Sequence, residues 1–328
     1  MKAKIKDVAI LAGVSTTTVS HVINQTRFVS EETVKKVKDA IEKLGYTPDY
    51  SAKGLKTGKR MMIGFIVPDI TNPVFSLLIE CVENTVSQEG YKLVVFNSRD
   101  SVEKEKNAIR SLSAGVVDGL VIATSAKSKA ELEDCLPELF PLVFVDRELS
   151  DYPQDSSVLD CQTATVEMIS SLIEAGHEKI GYIVGIPHIS PTKDRVTSYE
   201  EAFREKQLSF DPEMIRFLER SKSNAISETG YLLEKDCTAI IGTNTMITHD
   251  ILNVLENSAP ESKKRIRVCG FSDSYLAERF NSRIPTVDEP VEAMGTKAGE
   301  MILAKIADSH RVFPVERIPC RYQANDGV

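Results

Sequence analysis

A short segment near the start of the chain carries polar side chains that could read the edges of nucleic-acid bases. Within residues 16–23, Val19, Val22 and Ile23 recur at helical spacing and form one apolar face. The opposite face and its flanks carry hydroxyl, imidazole and amide groups, on Ser15, Thr16, Thr17, Ser20, His21 and Asn24. Such groups donate to and accept from base edges in the major groove of DNA. We interpret the segment as a candidate DNA-reading helix; the alternative for the threonines is simple capping of the helix N-terminus.

The elements around this segment predict a helix-turn-helix. A preceding helix is indicated by apolar residues at helical spacing, namely Ile5, Val8, Ala9 and Ala12. Gly13 ends that helix, and Ser15 is the expected N-cap of the next one. A third helix is predicted between Ser30, its cap, and Gly45, where it stops. In a helix-turn-helix the second helix enters the major groove.

Charge is unevenly distributed along the chain. The formal net charge is −8, but residues 1–60 carry +6 and the remainder carries −14. A basic head on an acidic body indicates that only the head meets a polyanion. The alternative is a solvated, lysine-rich N-terminal tail.

From residue 61 onward the sequence alternates between buried strands and helices. Apolar runs predict strands at 62–68, 91–96, 119–122, 142–145, 180–184, 238–241 and 267–271. Strands that alternate with helices predict parallel sheets with helices on both faces. Two such sheets fit the length, with a division near residue 160. Ligands bind open α/β sheets beyond the carboxyl ends of the strands, where we expect the binding site.

Residues 49–60 have the composition of a linker between the head and this α/β body. Glycine, lysine and polar residues surround one large aliphatic side chain, Leu55. A leucine in such a segment ordinarily packs against the next domain.

The stretch from Ile5 to Asn24 resembles the signature of the lactose-repressor (LacI/GalR) family, and residues 14–29 are most similar to its purine-repressor branch. The resemblance implies a sequence-specific DNA-binding transcription regulator, expected to be a repressor, whose operator affinity is switched by a small molecule. The implied fold class is an N-terminal all-α helix-turn-helix head followed by an α/β, two-lobed sensor domain like the periplasmic binding proteins.

The same resemblance sets the expected domains. They are a helix-turn-helix DNA-binding domain at 1–48, a hinge at 49–60 and an effector-binding and dimerisation domain at 61–328. The two lobes of the last domain would be formed by residues 61–160 with 290–320, and by 161–289 with 321–328. The chain ends without a heptad repeat, so we expect a homodimer.

DNA contacts also follow from the resemblance. Thr16, Thr17 and His21 would reach base edges, and Tyr46 would contact DNA as well. The expected partner of the homodimer is a double-stranded, pseudo-palindromic DNA operator, because each head reads one half-site.

The hinge is similar to a short helix that family members form on specific DNA. Residues 52–55 match it, with Lys53 in place of the usual arginine and with Leu55 as the residue that would wedge into the minor groove. Lys53 and Leu55 are therefore candidate DNA contacts. Gly54 disfavours a helix by roughly 1 kcal/mol relative to alanine, which suits a segment that DNA must order.

Effector contacts are implied residue by residue. They are Asn72, Pro73, Phe75, Asp146, Arg195, Asn244, Ser272, Asp273 and Glu289. Carboxylates and amides suit the hydroxyl groups of a sugar, and arginine suits a carboxylate or a pair of hydroxyls. Alternatively, Asp146 and Asn244 cap the helices that follow them, and Arg195 belongs to a surface ion pair.

Several positions depart from the family pattern. Ser272 replaces the usual ligand aspartate, Thr245 follows Asn244 where an aspartate is usual, and Ser198 replaces a glycine. Asn72 and Pro73 occupy the place of the aromatic clamp that a purine would need. Lys193 beside Arg195 indicates an anionic ligand, so we expect a sugar or a sugar acid.

Two rival classes are disfavoured. No nucleophile elbow, phosphate-binding loop or dinucleotide fingerprint opens a strand–helix unit, so we expect no enzyme. A plain sugar-binding protein would lack the basic head. The six scattered cysteines form no C-x-x-C pair, which argues against a disulfide framework and against a zinc site. We expect neither a metal ion nor a cofactor. The start has no apolar signal region, and no run suits a membrane span, so we expect a cytoplasmic protein.

Overall fold

The computed structural model of the chain describes residues 3–24, 27–46, 59–219, 224–257, 266–273 and 284–324. The chain divides into two units, Met1–Arg60 and Met61–Val328. No helix in these described ranges is long and apolar enough to cross a membrane.

In the N-terminal unit, which we call the head, the described residues form three helices. They are α1 (Ile5–Ala12), α2 (Thr16–Asn24) and α3 (Glu31–Leu44). Gly13 adopts the left-handed conformation, with φ at 66°, and turns the chain between α1 and α2. The hydroxyl of Ser15 accepts a hydrogen bond from the Thr18 backbone N–H at 3.0 Å, as expected of an N-cap. Ser30 sits at the cap position of α3, but its hydroxyl contacts Thr33 Oγ1 rather than a backbone amide.

The second unit, the body, has two lobes, each built on a six-stranded sheet. Lobe 1 has the strand order β11-β5-β4-β3-β1-β2, with every neighbouring pair parallel. Its strands are β1 (Met62–Val67), β2 (Lys92–Asn97), β3 (Gly119–Ile122), β4 (Leu142–Val145), β5 (Ser156–Asp160) and β11 (Glu316–Pro319). Its helices are α4 (Pro73–Gln88), α5 (Val102–Ser113) and α10 (Val291–Ala307).

Lobe 2 has the order β12-β10-β9-β8-β6-β7, parallel except for the pairing of β10 with β12. Its strands are β6 (Ile180–Val184), β7 (Ile215–Phe217), β8 (Ala239–Gly242), β9 (Arg267–Ser272), β10 (Thr286–Asp288) and β12 (Arg321–Gln323). Its helices are α6 (Gln162–Glu174), α7 (Ser190–Glu205), α8 (Ile226–Glu234) and α9 (Thr245–Asn257).

The chain passes between the lobes at three places. It leaves lobe 1 between β5 and α6, returns between β10 and α10, and leaves again between β11 and β12. We call these connections the crossing segments. Each is short, so any motion of one lobe relative to the other would take place about them, and we call the three together the hinge of the body.

Candidate functional site

A cavity of about 330 Å³ lies between the two lobes of the body. It opens at the carboxyl ends of the strands, because its walls include residues that follow β1, β4, β6, β8 and β10. This is where the topology of parallel sheets places ligands. The lobes also touch directly: the Glu148 backbone N–H donates to Ser190 Oγ at 2.9 Å, and His188 Nε2 lies 3.3 Å from the Ser125 carbonyl oxygen.

Six of the nine predicted effector residues line this cavity: Asn72, Phe75, Asp146, Arg195, Asn244 and Glu289. The other three do not. Pro73 is the first residue of α4, where its lack of an N–H is harmless. Ser272 exchanges hydrogen bonds with its own neighbours, with Thr245 Oγ1 donating to Ser272 Oγ at 3.1 Å. Asp273 Oδ2 accepts from the Val291 backbone N–H at 3.3 Å, so it orders the start of α10.

Asn72 and Asn244 both cap helices and face the cavity. Asn72 Oδ1 accepts from the Val74 backbone N–H at 3.1 Å, and Asn244 Oδ1 accepts from that of Ile247 at 2.8 Å. Neither Nδ2 group has a protein hydrogen-bond partner in the described part of the chain. The capping alternative and the ligand role are therefore compatible, since the oxygen serves the helix while the two N–H donors remain for a ligand.

Arg195 and Glu289 form an ion pair at the wall of the cavity. Arg195 Nη2 donates to Glu289 Oε1, and the guanidinium lies over the Phe271 ring, 4.7 Å from its centroid. Burial raises the pKa of Glu289 to about 7, although the charge of Arg195 opposes this shift. Arg195 Nε is buried and has no hydrogen-bond partner among the described residues.

Arg147 is a cavity residue that the sequence analysis missed. Its Nη1 group donates to Asp100 Oδ1 and to the Thr124 carbonyl oxygen, both at 3.1 Å, and its side chain is 5% exposed. Its Nε lacks a hydrogen-bond partner among the described residues and lies 3.7 Å from Asp146 Oδ2. The guanidinium carbon lies 5.8 Å from the centroid of the Phe75 ring.

The backbone explains why neighbouring residues both reach the cavity. Asp146 has a φ of 66°, a left-handed conformation that is uncommon outside glycine and that concentrates at functional sites. The turn brings Asp146 and Arg147 to the cavity wall directly after β4. Arg147 is the second residue after buried strand β4, but this position in the sequence does not tell which way its side chain points.

The described lining contains more carboxyl groups than cations. Asp69, Asp146, Asp250 and Glu289 face two arginines, Arg147 and Arg195. Burial raises the pKa of Asp146, against the opposing charges of Arg147 and Arg195. Lys193 is exposed and does not line the cavity, so the expectation of an anionic ligand loses its basis.

Apolar side chains complete the lining. They are Val74, Phe75, Leu159, Ile186, Ile189, Leu218, Met246 and Ile247. Apolar walls with a few convergent polar groups are typical of sites for small organic ligands.

The head places most of its candidate DNA contacts on the outside. Ser15, Thr16 and Thr17 are exposed, while Val19 is fully buried in the head core. Ser20 and His21 are half-buried. Tyr46, also half-buried, packs against the apolar core of the head.

Three candidates cannot be placed in this way. Lys53, Leu55 and the side chain of Asn24 lie outside the described residues.

A helix-turn-helix head joined to a two-lobed body with a ligand-sized cleft defines a class of protein: ligand-responsive, DNA-binding regulators. Two family models match the sequence in the same order. Residues 4–49 match the bacterial regulatory proteins of the lacI family, and residues 60–326 match the periplasmic binding proteins and sugar binding domain of the LacI family. The chain belongs to the LacI family, and it is a DNA-binding transcription regulator whose body binds a small molecule.

Individual proteins support this assignment. The HTH-type transcriptional repressor PurR of Aliivibrio fischeri (strain MJ11) is 35% identical over 324 residues, which cover 96% of each chain. The lac repressor dimer bound to operator and the anti-inducer ONPF aligns over 98% of both chains, with a TM-score of 0.81 at 22% identity. A LacI family regulator from Enterococcus faecium, solved with bound ribose, aligns over 81% of this chain and 100% of its own, with a TM-score of 0.69 at 23% identity. These two structures share the fold.

Proposed function

We propose that the chain is a homodimeric repressor whose affinity for a pseudo-palindromic operator is set by a small, uncharged, hydroxyl-rich molecule in the interlobe cavity. The observation that carries the proposal is a set of donor residues that line one cavity: Arg147 and Arg195, whose Nε groups have no hydrogen-bond partner among the described residues, and Asn72 and Asn244, whose amide nitrogens have none there either. A ligand with several acceptor oxygens satisfies these donors, and its hydroxyl hydrogens can be accepted by the carboxylates.

Charge favours an uncharged ligand over a sugar acid. Arg147 is already paired with Asp100, and Arg195 with Glu289. An added carboxylate would approach Asp146 without an unpaired cation to balance it in the described lining. The volume of about 330 Å³ lies at the lower end of the range of ligand pockets, which suits a molecule the size of a monosaccharide.

A purine is the second candidate, because the relatives that are 35% identical or nearly so are named PurR and share most of the chain length. The described lining offers one aromatic ring, that of Phe75, to a flat base. By the resemblance to the family, Asn72 and Pro73 occupy the positions where an aromatic clamp is expected. The polar donors therefore favour a sugar, and the test below includes both.

We assign the dimer contact to lobe 1; a dimer carries two heads, one for each half-site of the operator. Strand β2 lies at the edge of its sheet, and Val95 and Phe96 on it are 40% and 36% exposed. Exposed apolar groups on an edge strand favour association with a second copy. In this role the protein acts on DNA in the cytoplasm and catalyses no reaction on its effector.

The test is a thermal-shift screen of the full-length protein with neutral monosaccharides, sugar acids, purine bases and nucleosides. A ligand present at 100 times its Kd stabilises the fold by about 2.7 kcal/mol. We expect the largest shift from a neutral sugar, and we expect Arg147→Gln to remove most of it. Arg110→Gln is the matched control, because Arg110 pairs with the exposed Asp134 away from the cavity.

The outcomes separate the candidates. A shift from a purine alone would replace the sugar by the second candidate. If the ligand causes the same thermal shift in Arg147→Gln as in Arg110→Gln, it does not bind in the assigned cavity. Chemical turnover of a stabilising ligand would contradict a purely regulatory role.

A further inference from the structure

Two cysteines stand side by side at the hinge of the body. Cys161 follows β5, and Cys320 follows β11, so each is the first residue after a strand of lobe 1 where the chain crosses to lobe 2. The two belong to different crossing segments and are separated by most of the body in sequence. Any bond between them would join two of the three connections on which lobe motion depends.

The register of the sheet aligns the two side chains. β5 and β11 are parallel neighbours, and Asp160 is paired with Pro319, one position before each cysteine. The Cys320 backbone N–H donates to the Asp160 carbonyl oxygen at 2.9 Å, so the pairing extends to the cysteines. Neighbouring strands lie about 4.8 Å apart, and disulfides need Cα atoms roughly 4.4–6.8 Å apart.

Packing and hydrogen bonding place both thiols on the same side. Cys161 and Cys320 are each half-buried and pack against the same apolar core in lobe 2. The pKa of the Cys320 thiol is raised, first by the neighbouring Cys161 thiol and then by burial. The sheet register and the shared packing therefore place the two side chains next to each other.

A small pocket gives access to one of these thiols. Cys161 lines a pocket of about 20 Å³ beside the effector cavity, together with Asp146, Ser190 and Arg195. That volume exceeds the ~10–15 Å³ needed to hold one water molecule. Hydrogen peroxide is only slightly larger than water and carries the same kinds of hydrogen-bonding groups.

We propose that Cys161 and Cys320 form a reversible disulfide when the protein meets a peroxide, and that this bond restricts motion of the lobes at the hinge. The Cys161 sulfur attacks one oxygen of hydrogen peroxide, the O–O bond breaks, and the thiol proton leaves with the second oxygen as water. The Cys320 sulfur then attacks the Cys161 sulfenic acid. The S–O bond breaks, a second water carries away the Cys320 proton, and the two sulfurs have lost two electrons to the peroxide.

This inference is independent of the identity of the effector. It also fits a reducing compartment, where protein disulfides are usually transient and sensory. The remaining cysteines, Cys81, Cys135, Cys237 and Cys269, are all buried, which leaves the hinge pair as the more accessible thiols.

The test treats the full-length protein with a slight excess of hydrogen peroxide, blocks free thiols by alkylation, and identifies peptides by mass spectrometry. We expect a cross-linked pair of peptides containing Cys161 and Cys320 that is lost on reduction with dithiothreitol. Cys320→Ser should instead accumulate a sulfenic acid at Cys161, which dimedone traps. Cys135→Ser is the control and should form the cross-link as the parent protein does.

Hydrogen exchange measured on the same samples shows how strongly the backbone of the crossing segments is protected. Backbone amides of the crossing segments should exchange more slowly in the oxidised parent than in the reduced one, with no such difference in Cys320→Ser. Peroxide treatment that leaves both thiols open to alkylation, or oxidises them separately without a cross-link, would overturn the disulfide. A cross-link without slower exchange would overturn its effect on the hinge.

Discussion

Arg195 donates a hydrogen bond to Glu289 where lobe 2 meets a crossing segment, so the ion pair at the cavity wall is also a contact at the hinge. Arg195 lies on α7, and the backbone N–H of Glu289 donates to the Ser272 carbonyl oxygen at the end of β9. A ligand that engages Arg195 therefore acts on the connection that leads back into lobe 1. The same ion pair thus contacts both the ligand cavity and a crossing segment, so no further residue is needed to link the two.

The first prediction concerns the pH dependence of stability. The pKa of Glu289 is raised by burial from 4.5 to about 7, so the folded state holds the proton more tightly than the unfolded state does. Protonated Glu289 therefore makes its full contribution to the free energy of unfolding below pH 4.5, and this contribution is lost as the pH rises through about 7. Glu289→Gln should remove this dependence. Its free energy of unfolding should therefore rise relative to the parent by up to about 3 kcal/mol between pH 4.5 and 7.5.

Urea unfolding across this pH range measures the difference between the two proteins. Glu292→Gln is the control, because Glu292 is exposed in the first turn of α10. Parallel pH curves for Glu289→Gln and the parent would show that Glu289 ionises normally in the folded protein.

The second prediction concerns base reading by the head. Thr17 is exposed on α2, and His21 lies one turn further along. Replacing either with alanine should change operator preference by about 1–3 kcal/mol for each lost base contact. Lys36→Ala, on the exposed side of α3, should at most weaken binding to all sequences alike. Selection of binding sites from random DNA measures both effects, and an unchanged preferred sequence in both α2 variants would refute the assignment.

The third prediction concerns a buried ion pair in lobe 1 that holds the segment after α10. Lys305 Nζ lies 2.8 Å from Asp155 Oδ2, and their side chains are 7% and 1% exposed. Asp155 also accepts hydrogen bonds from the Phe313 backbone N–H at 3.0 Å and from the Tyr152 hydroxyl at 2.8 Å. Lys305→Met leaves this carboxylate buried without its cation, which should destabilise the body by about 3–5 kcal/mol.

Chemical unfolding of the full-length protein measures this loss. Lys297→Met is the matched control, since Lys297 forms an exposed pair with Glu300 on the same helix and should change stability by less than about 1 kcal/mol. Equal losses in the two variants would argue against a special role of the buried pair.

Much of the architecture could be predicted from sequence because apolar periodicity reports burial directly. The predicted strands at 119–122, 142–145 and 180–184 have the bounds observed for β3, β4 and β6. The short strands β5, β7, β10, β11 and β12 were missed. They contain polar residues or proline, as in Glu316–Pro319, and owe their conformation to pairing with neighbours rather than to local pattern.

The candidate site was less predictable for a related reason. The family resemblance assigned Asp146 and Asn244 to the effector site, and both follow predicted strands, where such a site is expected. The directions of side chains beyond a strand depend on turns such as the left-handed Asp146, and no periodicity reports them. Arg147 was missed for this reason. Lys193, which was taken to indicate an anionic ligand, is exposed and does not line the cavity.

The last prediction concerns the coupling between effector and operator. The effector site lies in the body and the base-reading helix in the head, so any influence must be expressed as a shift between arrangements of the protein that bind DNA differently. Linkage requires that the effector change operator affinity by the same factor by which the operator changes effector affinity. We expect a factor of about 5–150, or 1–3 kcal/mol. Two titrations with the ligand found by the thermal-shift screen measure it, one with and one without operator DNA.

Two variants test the ligand-binding side and the operator-binding side of this coupling separately. If the effector is an inducer, Arg195→Ala should abolish the response to ligand, and the unliganded variant should keep its operator affinity. If the effector is a corepressor, the same variant should bind operator weakly with and without ligand. Leu55→Ala should lose most specific operator affinity and keep near-normal ligand binding in the absence of DNA, because we assign Leu55 to the minor groove. Unequal factors in the two titrations of the parent would mean that a further ligand or an assembly step takes part. Normal operator binding by Leu55→Ala would exclude a minor-groove wedge in the 49–60 segment. It would leave the assignment of base reading to α2 unaffected.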